Sequence, residues 1–160
     1  MDLEKYEKKK LIYLIKQPIT LRKLISVSAP LELIRGKNVK RVVLDSLTLF
    51  KYSAEGELAY RKEVLDLISN MRSVVFLATA EEKRFGVDDA ESTSDDYLFD
   101  GIIRMIKVRK TNNFERCIYV SKMRGQEHSM DVVPFSIKKN GITIYPKEIP
   151  FSLLGEGNKR

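Results

Sequence analysis

Two apolar runs, Arg41-Val42-Val43-Leu44-Asp45 and Ser73-Val74-Val75-Phe76-Leu77-Ala78-Thr79, constrain this chain more than any other feature. Each is strand-sized and continuously apolar, the pattern of a strand covered on both faces within a parallel sheet. Between them Tyr60, Val64, Leu65, Ile68 and Met71 recur at helical spacing among charged residues, which predicts an amphipathic helix over 58–72. Strand, helix and strand in that order predict a right-handed crossover. Beyond residue 100 the pattern changes: 102–108, 116–122, 132–138 and 142–145 read as short strands, separated by turn signals such as Thr111-Asn112-Asn113 and Asn140-Gly141. The expected fold class is α/β, a mostly parallel sheet with flanking helices followed by a C-terminal antiparallel β meander.

Upstream, Leu11 to Ile15 reads as a further strand closed by Pro18, and Thr20 suits the cap of a helix starting near Leu21. Ser28 suits the cap of a second helical segment through Leu31, Leu33 and Ile34, with Gly36 as its left-handed terminator. From Glu81 to Asp100 acids outnumber bases, which predicts a mobile surface loop, whereas Gly101 to Arg124 sets seven bases against Glu115 alone. Residues 1–150 are expected to form the folded part and 151–160 a flexible tail.

A chain of 160 residues with 43% hydrophobic content can bury one real core. No apolar run approaches the roughly 18 residues of a membrane helix. The opening Met1-Asp2-Leu3-Glu4-Lys5 is acidic where a secretory signal is basic and then apolar, so no membrane and a cytoplasmic location are expected. A single cysteine, Cys117, leaves no intramolecular disulfide, and no Cys/His cluster has zinc-ligand spacing. The net charge of +7 permits attraction to phosphate-rich partners without establishing it. Lys, Glu, Arg and Ile are plentiful and Gln scarce, the bias of heat-adapted proteins.

Asp45 ends a predicted parallel strand, where α/β sheets bind ligands, and an aspartate there can hold Mg²⁺ directly or through water, with Ser46 beside it. The same two residues also suit capping of the next turn. Lys122 and Arg124 lie two apart on a predicted strand, so an ammonium and a guanidinium leave one face and can clamp one phosphate. Paired cations on a strand also serve simply to deter edge-to-edge aggregation. His128, the sole histidine, follows closely, but no nucleophile with a base and an orienter can be assembled from spacing.

Taken together and in order, these motifs resemble a known family. Arg41-Val42-Val43-Leu44-Asp45-Ser46-Leu47-Thr48 resembles the Walker B strand of RecA-like ATPases, specifically the KaiC family of circadian-clock and archaeal ATPases. Phe99-Asp100-Gly101-Ile102-Ile103 is similar to that family's Asp-Gly-Val-Ile segment. Lys122-Met123-Arg124-Gly125-Gln126-Glu127-His128, with Pro134-Phe135-Ser136-Ile137 and Asn140-Gly141-Ile142, is similar to its Lys-x-Arg-Gly-Thr-x-His run and closing hairpin. Asp2-Leu3-Glu4-Lys5-Tyr6 resembles the segment that follows the family's catalytic glutamates. The resemblance spans about 2–147.

What the resemblance implies is an incomplete RecA-like, P-loop NTPase-type fold and half of a nucleotide site. In such rings Mg-ATP lies between subunits: Asp45 would position Mg²⁺, Ser46 would assist, and Lys122 and Arg124 would neutralise a neighbour's γ-phosphate in trans. Met123, Gln126, His128 and Lys138 would line that neighbour's pocket, with Gln126 and Lys138 departing from the family's usual residues. The 160 residues contain no G-x-x-x-x-G-K-[ST] run, so the phosphate cradle is missing from them, and the paired glutamates would lie upstream of Met1. The expectation is no ATP hydrolysis and no bound cofactor for this chain alone, with a homo-oligomer or a P-loop-bearing RecA-like partner completing the site. Two other readings stand beside it. One is a DNA- or RNA-binding or regulatory module related to recombinase paralogues, using Arg104, Lys107, Arg109, Lys110 and Arg116. The other is a structural remnant whose bare sheet edge drives oligomerisation.

Overall fold

The computed structural model describes residues 3–16, 28–81, 94–110, 112–151 and 153, with backbone alone at 28–30, 94, 95 and 110. The chain divides into two compact units, Met1–Glu82 and Lys83–Arg160. The predicted helix from Leu21 lies outside the described residues, as do most of the acidic stretch and the tail from 154 onward.

In the first unit, α1 (Leu3–Lys8) and α2 (Ser28–Gly36) precede β1 (Arg41–Leu44), α3 (Thr48–Ser53), α4 (Glu57–Asn70) and β2 (Val75–Ala78). β1 and β2 pair in parallel with Arg41 opposite Val75 and Leu44 opposite Ala78, as the strand–helix–strand pattern requires. Among the described residues the expected cover is found on one face only. Exposure alternates along both strands, and Val43 and Val75 remain 68% and 67% exposed on the bare face. Continuous apolar sequence therefore marks a sheet with two sticky faces, of which one is occupied among the described residues.

The core of this unit is helical. Tyr60, Val64, Leu67 and Met71 are buried on one stripe of α4 and its end, spaced by four, three and four residues, as one face of an α-helix demands. Leu65, expected inside, faces solvent, and Leu67 takes its place. Leu47 and Phe50 are buried at the head of α3, which packs on α4. Two further expectations fail. Leu11–Ile15 forms no strand and its leucines are exposed: the Leu11 N–H turns back to the Tyr6 carbonyl at 3.0 Å, and no strand among the described residues pairs with the segment. At the end of α2 the left-handed residue is Asn38 (φ 51°), not Gly36.

The second unit is an antiparallel sheet of order β3 (Gly101–Lys110), β4 (Asn113–Met123), β5 (Val133–Lys138) and β6 (Gly141–Ile144), preceded by a 3₁₀ turn over Ser94–Tyr97. The β5–β6 hairpin closes through Lys139-Asn140, with Lys138 opposite Gly141 and Gly141 at φ 118°, a conformation that favours glycine. Between β3 and β4 the register slips once: Ile103 faces Val120 but Ile102 faces Lys122, so Ser121 is an extra residue in β4. The slip places Ile102, Arg104, Ile106 and Val108 on one face with Lys122, Tyr119, Cys117 and Glu115. Cys117 and Phe135 are buried, and the Glu115 carboxylate accepts a hydrogen bond from the Phe151 N–H at 3.2 Å. Among the described residues no helix is long and apolar enough to cross a membrane.

This assignment of the helical face is testable by urea denaturation. Leu67→Ala should cost about 2–5 kcal/mol, the range for a buried leucine, whereas Leu65→Ala should stay within about 0.5 kcal/mol, as for surface positions.

Candidate functional site

At the C-terminal ends of β1 and β2 the chain gathers three small polar side chains. The ladder continues past its last pair, with the Thr79 N–H donating to the Leu44 carbonyl at 3.0 Å and the Leu47 N–H to the Thr79 carbonyl at 2.8 Å. This fixes the Thr79 hydroxyl against Asp45, to which it donates at 2.6 Å. The Asp45–Ser46 peptide is cis. Thr48 accepts the Glu81 N–H at 2.9 Å, tying the turn after β1 to the turn after β2. Asp45 is exposed, so its carboxylate is open to solvent at the strand-end crevice of the sheet. No group of three or more His, Cys, Asp or Glu able to cage a metal occurs among the described residues. One open carboxylate flanked by hydroxyls instead suits Mg²⁺, which keeps most of its waters and completes its shell with phosphate oxygens.

At the other site residues, a basic cluster is organised at the end of β4. Lys122 donates to the Asp96 carbonyl at 2.6 Å, and the Arg124 guanidinium donates to the Tyr97 carbonyl at 2.8 Å. The Arg124 N–H donates to the Asp100 carbonyl at 2.8 Å. Arg124 lies one residue beyond the strand, in a turn that Gly125 completes at φ 73°, yet it reaches the same 3₁₀ turn as Lys122. The Asp96 carboxylate is engaged elsewhere, in a 2.6 Å ion pair with Arg104, whose side chains are only 15% and 6% exposed. Arg124 also meets the Asp100 carboxylate at 3.5 Å, but that pair is open to water and worth little.

The remaining expected residues are spread around this sheet. Met123 leaves the face opposite Lys122 and lies over Gly101, where a Cβ would come within 2.8 Å of its Sδ. Gln126 is exposed in the turn after β4, and His128 is half-buried with its Nε2 enclosed and lacking a hydrogen-bond partner. Lys138 is not brought to this cluster. With Cys117 opposite Pro134, β5 carries Lys138 towards the Asn113 end of β4, away from Lys122. Asp45 and Ser46 belong to the first unit, and Lys122 and Arg124 to the second. Sequence reasoning overlooked Thr79, although its position at the end of the neighbouring parallel strand made it readable. It also overlooked Asp96 and Tyr97, whose contribution is through backbone carbonyls.

At the far hairpin Tyr145 shares a 2.9 Å hydrogen bond with Ser136, and the Lys138 ammonium lies 5.5 Å from its ring centre. The Lys138 hydrogen bond first, and the Ser136 bond second, lower the Tyr145 pKa from its ordinary value of 10.0. Lowering favours the phenolate, so Tyr145 should ionise below the ordinary tyrosine range as pH rises. An ultraviolet titration that subtracts Tyr145→Phe from the parent will show this early phase, and Lys138→Ala should return it towards the ordinary range.

Comparison with known proteins identifies the family. The family model for the KaiC ATPase matches residues 1–149. A UPF0273 protein of Aeropyrum pernix is 33% identical over 88% of this chain and 56% of its own length, and one of Thermotoga maritima is 34% identical over 72% and 47%. The circadian clock oscillator protein KaiC of Picosynechococcus is 27% identical over 71% of the chain and 22% of its own length. Among solved structures, a KaiC-like protein of the hyperthermophilic archaeon Pyrococcus horikoshii superposes with a TM-score of 0.69 at 28% identity, covering 91% of this chain and 66% of that one. The chain thus spans about half the length of the UPF0273 relatives it matches. The fold is α/β and RecA-like, and the chain belongs to the KaiC ATPase family.

Proposed function

We propose that this chain supplies part of an ATP site at a subunit interface, giving a Walker B aspartate to one nucleotide and a Lys-x-Arg strand to a neighbour's. The observation that carries the reading is the convergence of Lys122 and Arg124 on successive carbonyls of a single turn, 2.6 and 2.8 Å away. Two cations of different shape, with no carboxylate among the described residues on Lys122, suit a phosphate bearing several oxygens. Asp45, oriented by Thr79 and flanked by Ser46, would hold Mg²⁺ through its water shell. When bound, that ion offsets phosphate charge. The chain's own residues orient it and present cations to the developing charge, which is where most phosphoryl-transfer catalysis lies. Met123, Gln126 and His128 border the same end of β4 and would contact the neighbour's nucleotide. Lys138, at the other end of the sheet, would reach it only from a different side. The backbone cradle for the α- and β-phosphates is not among these 160 residues and has to come from another segment or subunit.

Turnover measurements test the reading. Mixed with a P-loop-bearing KaiC-like partner, the chain should raise ATP hydrolysis, and Lys122→Ala or Arg124→Ala should each reduce that gain at least about tenfold, the lower side of what trans-acting cations contribute. Demonstrated association with no change in rate would overturn it.

A second reading is favoured by one face of the β3–β4 ribbon. Lys107 opposite Arg116, and Arg109 opposite Phe114, place exposed cations beside exposed Phe114 and Met105. Such a mixture of cations and an aromatic suits single-stranded nucleic acid. Arg104 does not join this set, because it lies on the opposite face and is buried against Asp96. A labelled oligonucleotide should bind at low salt and dissociate steeply as salt rises, while no binding at low ionic strength would exclude this reading.

A further inference from the structure

We propose that Asp96 is the positioning residue of the basic cluster: its carboxylate pins the Ser94–Tyr97 turn to Arg104, and the carbonyls of Asp96 and Tyr97 then hold the Lys122 and Arg124 head groups side by side. The identity of the anion rests on the interface-ATP reading above, but the holding of the cations does not. Three observations carry it. The Asp96–Arg104 pair is short, 2.6 Å, and largely buried, so it fixes the turn against β3. Lys122 shares a face with Arg104 only because Ser121 is an extra residue in β4, which brings the ammonium under the same turn. The bonds that hold Lys122 and Arg124 run to neutral carbonyls, the Asp96 carboxylate is engaged by Arg104, and the one carboxylate that meets Arg124 among the described residues, Asp100, does so at 3.5 Å and open to water.

The last point decides what the device does. A carboxylate laid on Lys122 would cancel the charge that a phosphate needs. A carbonyl takes one of three ammonium donors, or one of five guanidinium donors, and cancels neither charge, so that Arg124 is opposed only by the long, water-exposed Asp100 contact. The turn therefore orders two flexible side chains in advance of binding, and the entropy of ordering them is not charged to the ligand. Arg104 contributes no donor to the phosphate. Its role is to keep Asp96 away from the neighbouring cations.

The test uses the full chain and inorganic tripolyphosphate at low salt, read by calorimetry and by nitrogen NMR of the lysine and arginine head groups. Removing Asp96 raises the net charge by one, so a residue that merely neutralised the cluster would bind the anion more tightly when removed. Positioning predicts the opposite sign: Asp96→Ala should weaken binding about fivefold or more and speed proton exchange at the Lys122 ammonium. The swapped pair Asp96→Arg/Arg104→Asp should restore the turn and return affinity to within about twofold of the parent, because the holding groups are backbone carbonyls. Equal or tighter binding by Asp96→Ala, or a folded swap that stays weak, overturns the proposal. Should Asp96→Ala fail to fold, the swap alone decides. Should Lys122→Ala and Arg124→Ala leave tripolyphosphate binding unchanged, the phosphate reading fails, and the exchange rate of Lys122 still decides the positioning: unchanged exchange in Asp96→Ala sinks it.

Discussion

One additional residue in β4 governs the basic half of this molecule. Strand side chains alternate with a period of two, so without Ser121 as an extra residue Lys122 would point to the face of Met105 and Ile118. With it, Lys122 joins Arg104, Cys117 and Glu115, and comes within reach of the turn that precedes β3. The bulge thus converts a regular ribbon into a scaffold on which charge of one sign collects without repelling the fold apart. Arg104, the innermost of the three cations, is the one matched by a carboxylate at close range. This ordering follows from desolvation: a buried guanidinium needs a partner, whereas cations nearer water do not.

The first unit solves a different problem. Its two parallel strands are short, and α4 supplies the buried side chains that the strands do not. The acid at the sheet end is placed by the continuing hydrogen-bond ladder, through Thr79, and not by packing around it. Polar residues at strand ends are therefore positioned by backbone pairing, which is insensitive to most substitutions of neighbouring side chains.

Much of this was legible in the residues. The parallel pair, the crossover helix and the four strands of the meander follow from apolar periodicity and turn chemistry, and Asp45, Lys122 and Arg124 stand out by type and place. Three things were not legible, each for a physical reason. A bulge inserts no unusual residue, since Ser121 is an ordinary strand side chain. Carbonyl acceptors have no letter in the sequence, so the roles of Asp96 and Tyr97 as backbone partners are silent. Burial on α4 was misassigned by one position in the stripe, because Leu65 and Leu67 are chemically identical and only the phase set by Tyr60 and Val64 separates them. The Leu11–Ile15 run misled because an apolar segment reads as a strand whether or not a pairing partner is present.

The close approach of Gly101 and Met123 couples two positions that lie far apart in sequence. A side chain at 101 would crowd the sulfur end of a flexible thioether, at 2.8 Å, while the Lys122 carbonyl stays at an ordinary 3.7 Å. An alanine there is therefore absorbed by Met123 swinging aside, and the strand pair survives. Variation at 101 would then act as a steering device for whatever Met123 touches, leaving the melting temperature almost silent while changing the shape of the face opposite Lys122.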